Sequence, residues 1–274
     1  MPELIRIDDP ADPLIAAYCD IRERDLVGRQ GLFIAEGRTV LQVLVAAPRF
    51  RIRSVLLLEN RVAGLADLLP RMPDATPVYV ASRSVIDAIA GFPMHRGVLA
   101  LAERAVDEPA ATILGNLLAR AVVVAAIGIA NHDNIGAIFR NAAAFGAAAV
   151  LLDETCCDPL YRKALRVSVG GVLKTPFARG GSGEALVSAL QQHGFDILAL
   201  SPAGATPLTG IERRERMALL LGAEGPGLPA TLLARLRNVS IPMAGGFDSL
   251  NVATAGAIAL YELMRRMTPD DGVP

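Results

Sequence analysis

The stretch AVVVAAIGIANHDNIGAIFRNAAAFGAAAVLLD at residues 121–153 decides the fold. It opens with VVVAAIGIA at 122–130, a continuous apolar run bounded by turn formers, which is typical of a strand buried on both faces of a parallel sheet. A helical segment follows, and AAVLLD at 148–153 is the next candidate strand. A strand, a helix and a second strand in this order indicate a doubly wound α/β arrangement.

The same alternation continues towards the end of the chain. Further candidate strands are DILALS at 196–201, MALLLG at 217–222 and VSIPM at 239–243, with helices between most of them. The segment SLNVATAGAIALYELMRR at 249–266 is predicted to be helical.

The first hundred residues form a separate series. After a polar, acidic leader, the candidate strands are GLFIAEG at 31–37, IRSVLLLE at 52–59, PVYVA at 77–81 and VLALAE at 98–103. Helical patterns separate them, including a leucine-rich one after the second strand, and this alternation indicates an α/β sandwich. Charges and proline then break the pattern at about 104–112. We therefore predict an N-terminal domain over 1–105 and a second domain over 112–274.

Composition limits the possible functions. With 52% apolar and 20% charged residues in 274, the chain is expected to fold as a globule. Mean hydropathy is +0.40, yet no stretch approaches the roughly 18 uncharged apolar residues that span a bilayer. The leader carries acids and prolines where a secretory signal would be basic and then apolar, so we expect a cytoplasmic protein without a membrane partner.

The net charge and the residues that could bind a metal also limit the possible functions. The net charge is −1, so any RNA site must be a local patch rather than a global excess of positive charge. The three cysteines form neither a disulfide framework nor a zinc knuckle. Because no histidine or acidic cluster has metal-ligand spacing, we expect a metal-free reaction.

Three loops follow candidate strands and carry the unusual residues. The first is NHDNIGAIFRNA at 131–142, in which Asn134 is a plausible helix N-cap and Arg140 lies further along the helix. A capping asparagine and a surface arginine are the plain alternative for this loop. Ligands of open α/β sheets bind beyond the carboxyl ends of the strands, so these loops are where the chemistry is expected.

The other two loops are rich in glycine. LGAEGPGL at 221–228 places Glu224 in an otherwise uncharged loop, and it lacks the lysine and Ser/Thr of a P-loop. IPMAGGFDSLNVATAGA at 241–257 places Ser249 and Asn251 where a helix begins. Helix capping explains one of these two residues but not a whole loop of this composition.

Together, NIGAIFRNA, LLLGAEGPGL and IPMAGGFDSLNVATAGAIALYE resemble the signature motifs of the SpoU family of RNA ribose 2′-O-methyltransferases, in the SPOUT superfamily. The resemblance covers roughly residues 120–266, and CCDPLYRKALRVSVGG is similar to the family's stretch between its first and second motifs. FIAEGRTVL and FPMHRGVLAL, near the start, resemble the ribosomal-protein-like RNA-binding domain of many members.

This resemblance implies the fold, the cofactor and the assembly. The expected fold is a SPOUT-type α/β-knot catalytic domain, with a deep trefoil knot and a smaller N-terminal α/β RNA-binding domain. S-adenosylmethionine is expected to bind in a bent shape at the knot. The resemblance also implies a homodimer packed through the knot-region helices, with residues of both subunits at each site.

Residue roles follow from the same match. Arg140 is expected to stabilise the oxyanion that develops on the ribose hydroxyl, because an arginine stays protonated and is a poor base. Asn134 would orient Arg140 or the ribose, and Glu224 would anchor the arginine or the cofactor side of the site. Ser249 and Asn251 would complete the substrate pocket. The expected cofactor contacts are Gly222, Glu224, Ile241, Met243 and Leu250.

Two further expectations concern RNA. If LYRKALRV is a helix, then Arg162, Lys163 and Arg166 can form a phosphate-binding face, although a solvated charge run is the alternative. The N-terminal resemblance favours ribosomal RNA over transfer RNA. Two other functions remain open: a non-catalytic RNA-binding ribosome-assembly factor with the same fold, and a SPOUT enzyme that methylates a base. Asn141 departs from the family, which commonly has a small hydroxyl residue after the arginine.

Overall fold

The computed structural model describes residues 2–19, 26–28, 30–73, 75–90, 97–212, 214–245 and 249–267. Segments 92–96 and 246–248, which belong to two of the stretches quoted above, lie outside the described residues. The chain divides into two compact units. Unit 1 is Met1–Val106 with Leu160–Lys174, and unit 2 is Asp107–Pro159 with Thr175–Pro274. Residues 160–174 therefore pack with unit 1, whereas the predicted division assigns them to the second domain.

Unit 1 is built on a five-stranded mixed sheet with the order β1-β4-β3-β5-β2. The strands are β1 (Leu4–Ile7), β2 (Leu32–Glu36), β3 (Ile52–Leu58), β4 (Val78–Ala81) and β5 (Val98–Glu103). β4 runs parallel to β1 and β3, and β5 runs antiparallel to β3 and β2. Its helices are α1 (Arg38–Val45), α2 (Arg83–Ala90), α5 (Arg162–Val167) and α6 (Gly171–Lys174).

In unit 1, one strand is absent from the predicted set and one predicted helix is wrong. The acidic leader contains β1, which pairs in parallel with β4. This pairing gives the backbone of Leu4–Ile7 hydrogen-bond partners. The leucine-rich segment is not an α-helix but three short 3₁₀ turns, Glu59–Arg61, Ala63–Leu65 and Leu69–Arg71. Gly64 and Pro70 lie within it, and both residue types disfavour a continuous helix.

Unit 2 is built on a seven-stranded sheet with the order β10-β12-β9-β11-β6-β7-β8, in which every pairing is parallel. The strands are β6 (Ala121–Ala126), β7 (Ala149–Leu152), β8 (Phe177–Arg179), β9 (Asp196–Leu200), β10 (Thr206–Pro207), β11 (Arg216–Leu221) and β12 (Arg237–Ser240). The helices are α3 (Ala110–Gly115), α4 (His132–Phe145), α7 (Gly183–Gln192), α8 (Ala230–Leu233) and α9 (Val252–Met267). All six residues of β6 are buried, as expected for an inner strand of a parallel sheet.

The chain order around this sheet creates an opening at its carboxyl edge. From β6 the chain adds β7 and β8 on one side, and it then crosses to place β9 on the other side of β11. Such a reversal leaves a crevice beyond the strand ends, where ligands of α/β proteins bind. Helix α4 packs against α9, and α9 packs against β11. Among the described residues, no helix is both long enough and apolar enough to cross a membrane.

Candidate functional site

A pocket of about 420 Å³ lies at the carboxyl ends of β9, β11 and β12 in unit 2. This volume falls in the usual range of small-molecule sites, about 300–1,000 Å³. Its walls come from three strand ends and the segments that follow them: Leu200–Pro202 at β9, Leu221–Gly225 with Gly227 at β11, and, after β12, Ile241, Met243, 249–252 and Ala255, which reach into the first turn of α9. Apolar side chains and glycine backbone form most of the surface, and this combination suits a flat ligand with a few polar groups.

Seven of the predicted site residues line this one pocket. They are Gly222, Glu224, Ile241, Met243, Ser249, Leu250 and Asn251. The loop after β9 was not predicted to contribute, although Ser201 and Pro202 lie in the wall. The sequence does contain a signal for this loop, because SPAG at 201–204 is a turn sequence directly after an apolar strand. Only the strand order, with β9 between β12 and β11, brings that turn to the pocket.

The loop after β11 can fold back on itself because its glycines have no side chains. Gly227 N donates to the Ala223 carbonyl at 3.0 Å, which closes the loop. A Cβ atom on Gly222 would lie 2.4 Å from the backbone carbon of Gly227, closer than real Cβ contacts. Gly225 and Gly227 have φ of 84° and 71°, a region that favours glycine. The loop therefore exposes main chain to the pocket at Gly222.

Asn251 joins three parts of the site. Its Nδ2 donates to Asn134 Oδ1 at 2.9 Å and to Glu224 Oε1 at 3.0 Å. Its Oδ1 accepts hydrogen bonds from Ala253 N at 3.0 Å and Thr254 N at 3.2 Å, which caps α9. One side chain thus connects α4, the loop after β11 and the start of α9.

The structure corrects the predicted place of Asn134. The N-cap of α4 is Asn131, whose side chain accepts from Asp133 N, and Asn134 lies in the first turn of the helix. Its side chain is buried, with 5% relative exposure, and it is not part of the pocket wall. Within the described chain, its Nδ2 has no hydrogen-bond partner. Asn134 therefore supports Asn251 from beneath the pocket surface.

Arg140 is not brought to the pocket of its own chain. It lies on α4, six residues after Asn134, so the two side chains point about 120° apart around the helix. Arg140 is exposed to solvent and is absent from the pocket wall. Asn134 instead contacts Asn251, so the expected Asn134–Arg140 and Glu224–Arg140 pairings do not occur in this chain.

The three residues predicted to bind RNA lie on α5 in unit 1. Arg162 Nε and Arg166 Nη1 are each 3.8 Å from Glu36 Oε2, and the Glu36 side chain is only 7% exposed. The two arginines thus help to neutralise a buried carboxylate. Lys163 is exposed on the same helix. The helix predicted from LYRKALRV is present, and the cluster of three cations and one anion keeps a positive balance.

The loop after β7 is held by a buried carboxylate. Asp153 Oδ1 accepts from Gly128 N at 3.1 Å and from Cys156 N at 3.0 Å. The Cys156 thiol accepts a bond from Ile129 N at 3.3 Å. Burial raises the pKa of Cys156 to about 12, and burial likewise raises the pKa of Cys157 to about 11. Both thiols are therefore protonated near neutral pH and are poor nucleophiles.

Over the described ranges, no group of three or more His, Cys, Asp or Glu side chains is placed to hold a metal ion.

Known proteins are similar to this chain in sequence and in fold. A family model described as the SpoU rRNA Methylase family matches residues 121–261. The chain is 41% identical to an uncharacterized tRNA/rRNA methyltransferase of Mycobacterium bovis, over 94% of this chain and 90% of the relative. It is 31% identical to the 23S rRNA (guanosine-2′-O-)-methyltransferase RlmB of Acinetobacter baylyi, over 71% of this chain and 80% of the relative.

A solved structure shows the same architecture. The AdoMet-bound rRNA methyltransferase from Sinorhizobium meliloti superposes with a TM-score of 0.80 and 24% identity, over 97% of this chain and 99% of that chain. The parallel α/β fold, the loop-lined pocket and these relatives define an RNA methyltransferase. The chain belongs to the SpoU rRNA methylase family.

Proposed function

We propose that this protein transfers the methyl group of S-adenosylmethionine to a ribose 2′-hydroxyl of RNA, and that the RNA is ribosomal. The observation that carries the proposal is the pocket at the ends of β9, β11 and β12, which seven of the predicted site residues line. The relative from Acinetobacter baylyi, named as a guanosine-2′-O-methyltransferase of 23S rRNA, supports both the target atom and the class of RNA. The cytoplasm is the proposed location, since the translation machinery works there.

The pocket residues fit this cofactor. The adenine ring needs a flat apolar slot with main-chain hydrogen bonds, and Leu200, Ile241 and Leu250 beside the backbone of Gly222 offer both. When bound, S-adenosylmethionine supplies an activated methyl group on a positively charged sulfur. The crystal structure of the Sinorhizobium meliloti neighbour was determined with AdoMet bound. We also propose that the chain forms the deep trefoil knot of the family around this pocket.

The residues of this chain then have to position the hydroxyl and stabilise its charge. Glu224, Ser249 and Ser201 line the pocket and place polar side chains beside the proposed ribose and cofactor. Asn251 and Asn134 hold Glu224 and the start of α9 in place. A guanidinium near the hydroxyl oxygen would stabilise the developing negative charge, and phosphate or water would accept the proton.

We propose that Arg140 supplies this guanidinium to the pocket of a second copy. Arg140 is exposed on α4, the helix that packs against α9. The exposed face of α9 carries Ile258 and Tyr261, at 41% and 56% exposure, and Leu250 beside it is 42% exposed. Large apolar side chains on a surface favour association with another subunit. A homodimer through these helices would bring Arg140 of one subunit to a pocket that lacks it.

The roles proposed for the rest of the chain follow the predicted division. Residues 1–105 would serve as the RNA-binding domain, and residues 112–274 as the methyltransferase domain. Arg162, Lys163 and Arg166 on α5 would contact RNA phosphates, since the cluster with Glu36 keeps excess positive charge. Phosphate contacts of this type position the RNA without reading its sequence.

Calorimetry with S-adenosylmethionine and mass spectrometry of nuclease digests test the proposal. We expect cofactor binding and a product nucleoside that resists alkaline cleavage, because a 2′-O-methyl group blocks attack by the neighbouring oxygen. A base methyl leaves alkaline cleavage intact and would identify a base methyltransferase. RNA binding without affinity for S-adenosylmethionine would identify a non-catalytic assembly factor. Mapping methylated riboses in ribosomal and transfer RNA from a deletion strain distinguishes the two RNA classes.

Substitution of Arg140 tests its role. We expect Arg140→Ala to abolish turnover while the affinity for S-adenosylmethionine survives, because the proposed contact acts in the transition state. Mixing Arg140→Ala subunits with Glu224→Gln subunits should restore turnover, since a mixed dimer contains one site with both residues. Equal loss of cofactor binding in Arg140→Ala, or no recovery on mixing, contradicts the assignment.

A further inference from the structure

Helix α4 contacts the start of α9 through two asparagines. Asn134 and Asn141 are seven residues apart, so they lie on nearly the same side of the helix, about 20° apart. Asn134 Oδ1 accepts a hydrogen bond from Asn251 Nδ2 at 2.9 Å. Asn141 Nδ2 donates to the Ala253 carbonyl at 3.0 Å. Helix α4 thus holds the first turn of α9 at two points, Asn251 and Ala253, which are two residues apart in sequence.

The hydrogen bond from Asn141 to the Ala253 carbonyl does not replace the hydrogen bond that this carbonyl accepts within α9. A carbonyl oxygen has two lone pairs, so Ala253 can accept from Asn141 while it also accepts within α9. The side chain of Asn141 is half-buried, and the apolar residues Val124, Ile138 and Leu221 border the same small gap between α4, α9 and the sheet. A polar link in apolar surroundings is stronger and more directional than one at the surface.

The position of the first turn of α9 determines one wall of the pocket. Leu250, Asn251, Val252 and Ala255 all line the pocket, and they lie on both sides of Ala253 in the chain. A shift of the turn would move these side chains together. It would also move the Asn251 amide away from Glu224, which is 3.0 Å away.

We propose that Asn141 is a positioning residue, which keeps the first turn of α9 in the arrangement that binds the ligand. The identity of the ligand, S-adenosylmethionine, rests on the proposed function. Without the Asn141–Ala253 bond the first turn of α9 loses one of the two side-chain hydrogen bonds described above that connect it to α4, and part of the population has a displaced wall. The apparent affinity of a site falls in proportion to the fraction of molecules that are competent to bind.

The test compares substitutions that keep or remove the donor. Asn141→Asp has the same shape but turns a carboxylate towards the Ala253 carbonyl, Asn141→Ala removes the group, and Asn141→Ser keeps a donor. Asn238→Ala is the matched control, since Asn238 Nδ2 donates to the Leu233 carbonyl at 2.8 Å, outside the pocket wall. Calorimetry gives the Kd for S-adenosylmethionine, and hydrogen exchange of amides 252–256 reports on the turn in the ligand-free protein.

We expect Asn141→Asp to raise the Kd about tenfold and Asn141→Ala about threefold to fivefold, the range for loss of one hydrogen bond that organises a site. Asn141→Ser should recover most of the affinity, and amides 252–256 should exchange faster in the Asp and Ala variants. Asn238→Ala should lower the melting temperature without changing the Kd. Should Asn141→Asp fail to fold, the comparison of Asn141→Ala with Asn141→Ser still decides the question.

The outcomes separate this inference from the proposed function. If the wild type binds S-adenosylmethionine and the Asp and Ala variants match it in Kd and exchange, the positioning role is wrong and the function stands. The same conclusion follows if Asn238→Ala weakens binding as much as Asn141→Ala does. If the wild type does not bind S-adenosylmethionine, the proposed function fails, and the exchange rates alone decide whether Asn141 holds the turn.

Discussion

Asn251 uses all the hydrogen-bonding capacity of its side chain within the protein. Both hydrogens of Nδ2 go to Asn134 and Glu224, and Oδ1 accepts from two backbone amides of α9. An amide has two donors and about two acceptor positions, so no polar atom of this side chain is left for a ligand. Asn251 contributes to the site through the shape of the pocket wall and through Glu224, whose carboxylate keeps one oxygen, Oε2, for other partners.

The Cys156 thiol allows a prediction about pH and reactivity. Its pKa is raised by burial from 9.0 to about 12, so the folded state keeps the proton that the unfolded state loses. The stability that this thiol contributes is therefore fully present below pH 9 and is lost as pH rises towards 12. Iodoacetamide at pH 8 should label Cys156 in urea but not in the native protein, as peptide mass spectrometry would show. Equal labelling of the native and unfolded protein would mean that the thiol is accessible.

At the scale of elements, the strands of unit 2 were readily predicted. Six apolar residues in a row at β6 and five at β11 are typical of a strand that is covered on both faces. β8 and β10 were missed, since three and two residues are too few to show a period. The final helix was predicted to begin at 249 but begins at Val252, after the capping Asn251.

The site was predictable to a similar degree. The loops after β11 and β12 stand out by composition, and both line the pocket. Ser201 and the exact partners of Asn134 depend on strand order and on the packing of α4 against α9, which contacts distant in sequence determine. Arg140 could be assigned a role by resemblance but not a place, because its distance from the pocket depends on the fold of the whole unit.

The loop after β11 carries a prediction that belongs to this scale. Gly222→Ala would place a Cβ 2.4 Å from backbone atoms of Gly227 and Leu228, so the loop must move. We expect a loss of about 1–3 kcal/mol in the free energy of unfolding, measured in urea, and a large loss of affinity for S-adenosylmethionine. Gly210→Ala is the matched control, because a Cβ there meets nothing within 4 Å. Wild-type behaviour of Gly222→Ala would show that the loop has room to adjust.

At the scale of the whole molecule, a homodimer is the proposal with the clearest physical test. Ile258 and Tyr261 are exposed on α9, and Tyr261 packs edge-on against Phe145 of α4 with ring centroids 5.8 Å apart. The two helices thus present one aromatic and aliphatic surface. Burial of such surface would stabilise a dimer by roughly 25 cal/mol per Å².

We expect the wild type to sediment as a dimer and Ile258→Arg to sediment as a monomer. The variant should bind S-adenosylmethionine and lose turnover, because Arg140 would no longer reach the pocket of a partner. Leu118→Arg is the control, since Leu118 is 81% exposed and lies outside this surface. A monomeric wild type with full turnover would contradict both the dimer and the shared site.

The packing of residues 160–174 with unit 1 affects how this protein folds during its synthesis. α5 packs against β2, and its arginines face the buried Glu36, so the first unit is completed by residues that the ribosome adds more than fifty positions after Val106. Until that helix emerges, Glu36 in the nascent N-terminal part lacks the two arginines that lie beside it in the complete protein. We therefore expect folding of the two units during synthesis to be interleaved rather than sequential, and a fragment cut at the interdomain linker would be missing part of its own core.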